Sequence, residues 1–266
     1  APLVCGTLGE VYGWHYGFGA AGVGMFAGLL VYVAGRRYLP PELRRVPPPA
    51  TSAPEARANQ RKTWGLLLGV GIAATIFRGA YEQVGNTLPL WIDTGVDRDW
   101  SGFAIPMTWF QSLNPGLVIL LTPLLLWAWR RQADAGRETT PAMRMAIGAL
   151  IVASAYLLLA VVAATSGDAR ASWIWLVAFF AILTIGELYI LPTGLGLFAK
   201  LAPPRLGATT VASWFLAIFT GSLLAGLVGT LWSSASHAGF FLLLAGLAVV
   251  AAALLWRLDR PIRTLS

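Results

Sequence analysis

Arg78 and Glu82 stand four residues apart inside a long apolar run, and Asn114 and Glu187 stand inside two others. At about 1.5 Å of helical rise per residue, Arg78 lies about 14 residues into its run and Glu82 one turn further. Asn114 lies about 11 residues into the next run and Glu187 about 15 into another, so all four reach a similar depth. A charged side chain near a bilayer centre costs about 2.5–3.5 kcal/mol on insertion scales, so such residues face a bundle interior or a water-filled cavity. A carboxyl group in a partly dry cavity favours its neutral form unless a cation is near, which lets its protonation follow hydration and partner distance. Glu82 and Glu187 are the only acids placed this deep; the remaining acidic residues fall in loops or near interfaces. Polar groups converging at one depth from different helices are what a substrate cavity between transporter repeats requires, and a buried structural ion pair is the alternative.

With Arg78 preceding Glu82 the order is the less favourable one for a pair within a helix. Glu187 is therefore the expected partner of Arg78 in one conformation. On a helix, Arg78, Glu82, Gly85, Asn86 and Pro89 share one stripe. Two other runs carry helix-breaking residues: Asn114-Pro115-Gly116 after Gln111, and Pro192, Gly194 and Gly196 after Glu187. Pro115 and Pro192 leave the carbonyls of Gln111 and Leu188 without their usual helical donors. A freed carbonyl can bind a ligand or permit bending, and such prolines also serve packing alone. Trp214, about eight residues into its run, is placed to form an aromatic pocket wall; many of the 12 tryptophans are expected as interfacial anchors instead.

The elements that must position these residues are membrane helices. The chain has 266 residues, of which 57% are hydrophobic and 12% charged, and its mean hydropathy of +0.67 is far above that of an ordinary soluble domain. Spans are expected at about 14 to 36, 64 to 92, 103 to 129, 143 to 166, 172 to 199, 207 to 232 and 238 to 257. The first is rich in glycine, with Gly24 and Gly28 four apart on one face, a spacing that admits close helix packing. Residues 1 to 9 read as the last turns of an earlier span, so an N-terminal part of the protein is expected to be missing. The stretch from Tyr38 to Lys62 is a proline- and arginine-rich linker, expected to be extended and solvated.

A net charge of +7 in a soluble chain would point to nucleic acid. Here the charge reports orientation. The linker, the loops around Arg130–Arg144 and Lys200–Arg205, and the C-terminal end hold nearly all the basic residues; only Arg98 and Arg170 lie on the opposite side. By the positive-inside rule these segments and the C-terminus are cytoplasmic, in a multi-pass protein of the plasma (inner) membrane. A single cysteine, Cys5, excludes an internal disulfide and a cysteine metal cluster. No nucleophile elbow, zinc-protease helix or phosphate-binding loop occurs, so no enzyme is expected. A channel shares the polar interior, yet no filter segment is visible.

Several segments resemble the proton-dependent oligopeptide transporter (POT/PTR) family of the major facilitator superfamily. Gly13-Trp14-His15-Tyr16-Gly17-Phe18 is similar to the family's sixth helix, Tyr81-Glu82-Gln83 to its seventh, Trp109 to Pro115 to its eighth, and Gly186-Glu187-Leu188 to its tenth; Lys200-Leu201-Ala202-Pro203 and Trp214-Phe215-Leu216 extend the likeness. The resemblance implies an all-α membrane fold, of which this chain is the C-terminal half. Residues 1–37 would be the end of the fifth-helix region and the sixth helix, 38–62 the cytoplasmic linker and 63–260 the six-helix C-terminal lobe. It further implies proton-driven import of di- and tripeptides by alternating access, completed by a missing N-terminal lobe, with no cofactor beyond the proton as coupling ion. Glu82 matches the carboxylate linked to proton coupling, with Arg78 beside it. Glu187 matches the carboxylate that meets the peptide amino group. Asn114, Gln111, Trp214 and Tyr81 complete the implied substrate-binding set. The chain departs from the pattern at Arg78, where many members have an aromatic, and at Leu191 and Gly196, where serines are usual. These departures leave room for another solute, such as nitrate or a peptide-like drug.

Overall fold

The computed structural model describes residues 2–38, 54–137, 139–167, 169–202 and 206–263. Among them, seven helical stretches are long and apolar enough to cross a membrane: Trp14–Tyr38, Arg61–Gly95, Met107–Asp134, Pro141–Ser166, Ile174–Lys200, Gly207–Ser233 and His237–Ile262. Each overlaps one of the spans expected from hydropathy.

The N-terminal residues form a π-helical turn, Pro2–Gly6, that runs into α1 (Thr7–Tyr12) and reverses into α2 (Trp14–Gly35). The reversal is at Gly13, whose φ of +113° is a conformation that side-chain-bearing residues avoid. The two arms then lie so close that a Cβ on Gly17 would strike the carbonyl oxygen of Cys5, whereas Gly24 and Gly28 have open space around them. Close packing through small residues is thus used at Gly17.

The hairpin meets the remaining helices where α5 (Met107–Asp134) begins. The Glu10 carboxylate accepts the backbone N–H groups of Met107 (3.2 Å) and Thr108 (3.0 Å), and the Trp109 indole donates to the Thr7 hydroxyl (2.7 Å). The first N–H groups of a helix have no partner within it, and a carboxylate there also complements the helix dipole.

Residues 39–53, most of the expected extended linker, lie outside the described residues. The next helix, α3 (Pro54–Tyr81), starts within the linker's expected bounds, with proline at the first helical position where its missing N–H costs nothing. Hydropathy reads the following stretch as one span, but the helix is interrupted at the charged residues. Glu82–Val84 tighten into a 3₁₀ turn, and α4 (Thr87–Gly95) resumes after Gly85 and Asn86. Pro89 has no N–H to offer the carbonyl four residues earlier, at Gly85, which accounts for the break. Conversely, the helices holding Pro115 and Pro192, α5 and α7 (Ile174–Lys200), run through both prolines without interruption.

The core is built by α6 (Pro141–Ser166), α8 (Gly207–Gly229) and α9 (His237–Arg263) with α3 and α7. The main packings are α6 on α9 and α7, and α3 on α8 and α9, with α5 leaning on α7. Tyr156, Phe179, Phe180, Phe240 and Phe241 fill the interior. At the crossing of α6 and α7, a Cβ on Gly148 would lie 2.7 Å from the Gly186 carbonyl oxygen, and one on Gly186 would lie 2.7 Å from that of Gly148. Only glycine permits this approach, and it fixes the depth and rotation of Glu187, the next residue. Two short ladders cross the opposite end of the bundle from the linker: β1 (Val96–Asp97) pairs in parallel with β4 (Ala171–Ser172), and β2 (Asp99–Trp100) antiparallel with β3 (Phe103–Ala104).

Candidate functional site

Arg78 and Glu82 form an ion pair at the end of α3, with side chains 19% and 32% exposed. The Arg78 stem passes over Gly221 of α8, which has no side chain to obstruct it. Its guanidinium lies 5.1 Å from the ring centre of Tyr81. The Arg78 Nε is buried without a hydrogen-bond partner, so the guanidinium has donor capacity left over.

Across from this pair, Asn114 of α5 donates its amide to one oxygen of the Glu187 carboxylate at 2.7 Å. Tyr81 of α3 lies near the same carboxylate. Three helices therefore meet through side chains: α3 supplies Arg78 and Tyr81, α5 supplies Asn114 and α7 supplies Glu187, with Glu82 at the start of the 3₁₀ turn. In this conformation Arg78 pairs with Glu82, which the four-residue spacing puts within reach, and Glu187, its expected partner in one conformation of the transport cycle, bonds Asn114 instead.

Gln111 is half-buried on α5, one turn before Asn114, and makes no side-chain hydrogen bond among the described residues. Trp214 stands apart from this cluster. It is 3% exposed, its ring fills the space left by Gly194, and Phe198 lies at 5.2 Å. It packs α8 onto α7 rather than walling an open pocket. A cavity of about 240 Å³ between α3 and α8 is lined by Thr75, Phe198, Ser213 and Ala217 but not by Trp214.

One residue that positions the site is not among those expected from depth. Gln83 is fully buried, donates to the carbonyls of Ala225 (2.8 Å) and Gly79 (3.2 Å), and accepts from Thr87 (3.0 Å) and Asn86 (3.3 Å). Its amide takes over the hydrogen bonding at the break and ties the turn bearing Glu82 to α8. A fully satisfied amide of this kind holds one geometry, since any movement leaves a buried polar group unpaired. The available signal was an amide adjoining a membrane-embedded acid. Tyr156 adds a second brace, donating to the Ala80 carbonyl at 2.7 Å.

Comparison with known proteins agrees with this architecture. The model of the POT family matches residues 1–45 and 49–256. The peptide transporter YePEPT of Yersinia enterocolitica is 28% identical over 86% of this chain and 58% of its own length. A di-/tripeptide transporter of Lactococcus lactis subsp. cremoris is 24% identical over 98% of this chain and 65% of its own. A crystal structure of a variant of peptide transporter POT in complex with alafosfalin superposes with a TM-score of 0.81 at 27% identity, covering 98% of this chain and 64% of that one. The chain thus spans less than two thirds of each of these proteins. With seven helices among the described residues long and apolar enough to cross a membrane, in an arrangement that superposes on that solved transporter, it is a multi-pass membrane protein, and it belongs to the POT family.

Proposed function

We propose that this chain forms the C-terminal lobe, with the preceding hairpin, of a proton-coupled symporter that imports di- and tripeptides by alternating access, working with an N-terminal lobe. The observation that carries the reading is the Asn114–Glu187–Tyr81 cluster standing opposite the Arg78–Glu82 pair. Glu187 has one oxygen engaged by an amide and keeps lone pairs for a second donor, which suits a peptide ammonium. Glu82 has Arg78 as its counter-ion. Drawing the guanidinium away leaves that carboxylate without its counter-ion inside an apolar span. Proton uptake at Glu82 would then be tied to whatever engages Arg78.

The names of the relatives, transporters of peptides and of di- and tripeptides, support this substrate class. The distribution of basic residues supports a plasma-membrane protein with its C-terminus in the cytoplasm. Among the described residues of the site no nucleophile is combined with a base, and the reading is of a transporter and not an enzyme. Arg78, with its unpartnered Nε, favours a second reading in which the solute is anionic.

Uptake of labelled dialanine by the full-length protein in proteoliposomes tests the assignment, with N-acetyl-dialanine as competitor. Free dialanine is expected to compete, N-acetyl-dialanine to compete at least tenfold less, and Glu187→Gln to erase the difference; a charged hydrogen bond is worth about 1.5–3 kcal/mol. Equal competition by both peptides would contradict the role of Glu187. Competition by nitrate alone would favour the anionic solute.

A further inference from the structure

Helix α9 buries one face against α6 and leaves the other outward, where Leu242, Leu243, Val249, Val250 and Trp256 are exposed. At the end of this apolar stripe the chemistry changes. Arg257 and Arg260, both exposed, line an open cavity of about 520 Å³ with Trp256, Met143 and Asp259, where α9 ends beside the start of α6. The acid among them is turned inward: Asp259 is 4% exposed and accepts the hydroxyl of Thr140, the residue that caps α6.

Among the described residues neither Arg257 nor Arg260 has an ion pair or a side-chain hydrogen bond, whereas Arg131 lies over Trp127 and Arg144 over Trp129. Guanidinium groups bind phosphate oxygens in a two-pronged fashion, and basic pockets between membrane helices on the cytoplasmic side suit anionic headgroups. Tryptophan prefers the level between headgroup and acyl chain. We propose that Arg257 and Arg260 form a binding site for the phosphate headgroup of an anionic phospholipid, with its chains along the exposed stripe of α9 and Trp256 at the ester level. Continuity of the cavity with that stripe selects a lipid over a free phosphate ion. The site is independent of the transport reading.

The test is native mass spectrometry of the purified full-length protein after exchange into phosphatidylglycerol or phosphatidylcholine. Unaltered protein is expected to retain phosphatidylglycerol preferentially. The double variant Arg257→Ala/Arg260→Ala is expected to lose about tenfold or more of that retention, and Arg257→Lys/Arg260→Lys only part of it. Arg130→Ala/Arg131→Ala, on the same basic face, should retain the lipid. Equal retention of the two lipids, or equal loss in the Arg130/Arg131 control, would overturn the proposal by showing general charge attraction. Displacement of the lipid by inorganic phosphate at equal concentration would also overturn it, assigning the site to a free anion. The headgroup comparison needs no variant, so a misfolded substitution does not remove the test.

Discussion

Glu187 is aimed by the Asn114 amide at 2.7 Å, a bond made before any substrate arrives. Replacing Asn114 with alanine removes the bond that aims the carboxylate without removing its charge. Affinity for dialanine in a competition assay is therefore expected to fall about tenfold, the worth of a charge-assisted hydrogen bond; unchanged affinity would detach Asn114 from the site. Tyr81→Phe keeps the ring beneath Arg78 and loses only the hydroxyl, so it should weaken affinity less than Tyr81→Ala, which also exposes the guanidinium. That four polar residues share a depth was legible in the sequence, because depth follows from counting residues along apolar runs. Which of them bond was not. Arg78 turns to Glu82 along its own helix because that partner is near, whereas Glu187 finds an amide on another helix, and counting residues carries no information about the rotation of one helix against its neighbour. Trp214 shows the same gap: its depth suited a pocket wall, and the glycine opposite it, Gly194, made it a packing residue instead.

Two backbone features hold these side chains in register. The first is the interruption at Glu82–Val84, secured by the Gln83 amide. Gln83→Leu preserves volume and leaves the Ala225 carbonyl and the Thr87 hydroxyl without their partner, at a cost of about 1–3 kcal/mol for buried groups; thermal unfolding in detergent should shift down, and an unshifted transition would show that the amide is dispensable. The second is the Gly148–Gly186 crossing. Gly186→Ala places a methyl group against a backbone carbonyl and is expected to destabilise by about 1–3 kcal/mol, as overpacking does, and to impair peptide affinity through the displaced Glu187; normal affinity would separate the crossing from the site. The break at residue 82 was written in Gly85, Asn86 and Pro89, whereas the proline signals at 115 and 192 mark no interruption. Those prolines sit in helices that continue past them, and proline alone does not tell a kink from an interruption.

At the level of the molecule, the seven candidate crossings among the described residues were readable because each apolar run is long enough to span a bilayer and is separated from the next by charge, glycine or proline. How the parts meet was not readable. The N-terminal hairpin joins the other helices at the start of α5, through the Glu10 cap and the Thr7–Trp109 bond, and Glu10 gave no sign of this because it looked like an interfacial acid. Alternating access requires one lobe to move against the other, and the energy for concentrating a solute must enter through a group whose charge changes in that motion. In the proposed symporter Glu82 is that group, paired with Arg78 and carried on a turn braced against α8. The most direct measurement is dialanine uptake by full-length protein in proteoliposomes under an imposed inward proton gradient, compared with Glu82→Gln, together with counterflow exchange in the absence of a gradient. The parent is expected to concentrate dialanine, while Glu82→Gln should still exchange it without concentrating it. Concentrative uptake by Glu82→Gln at the parental level would contradict proton coupling through this residue.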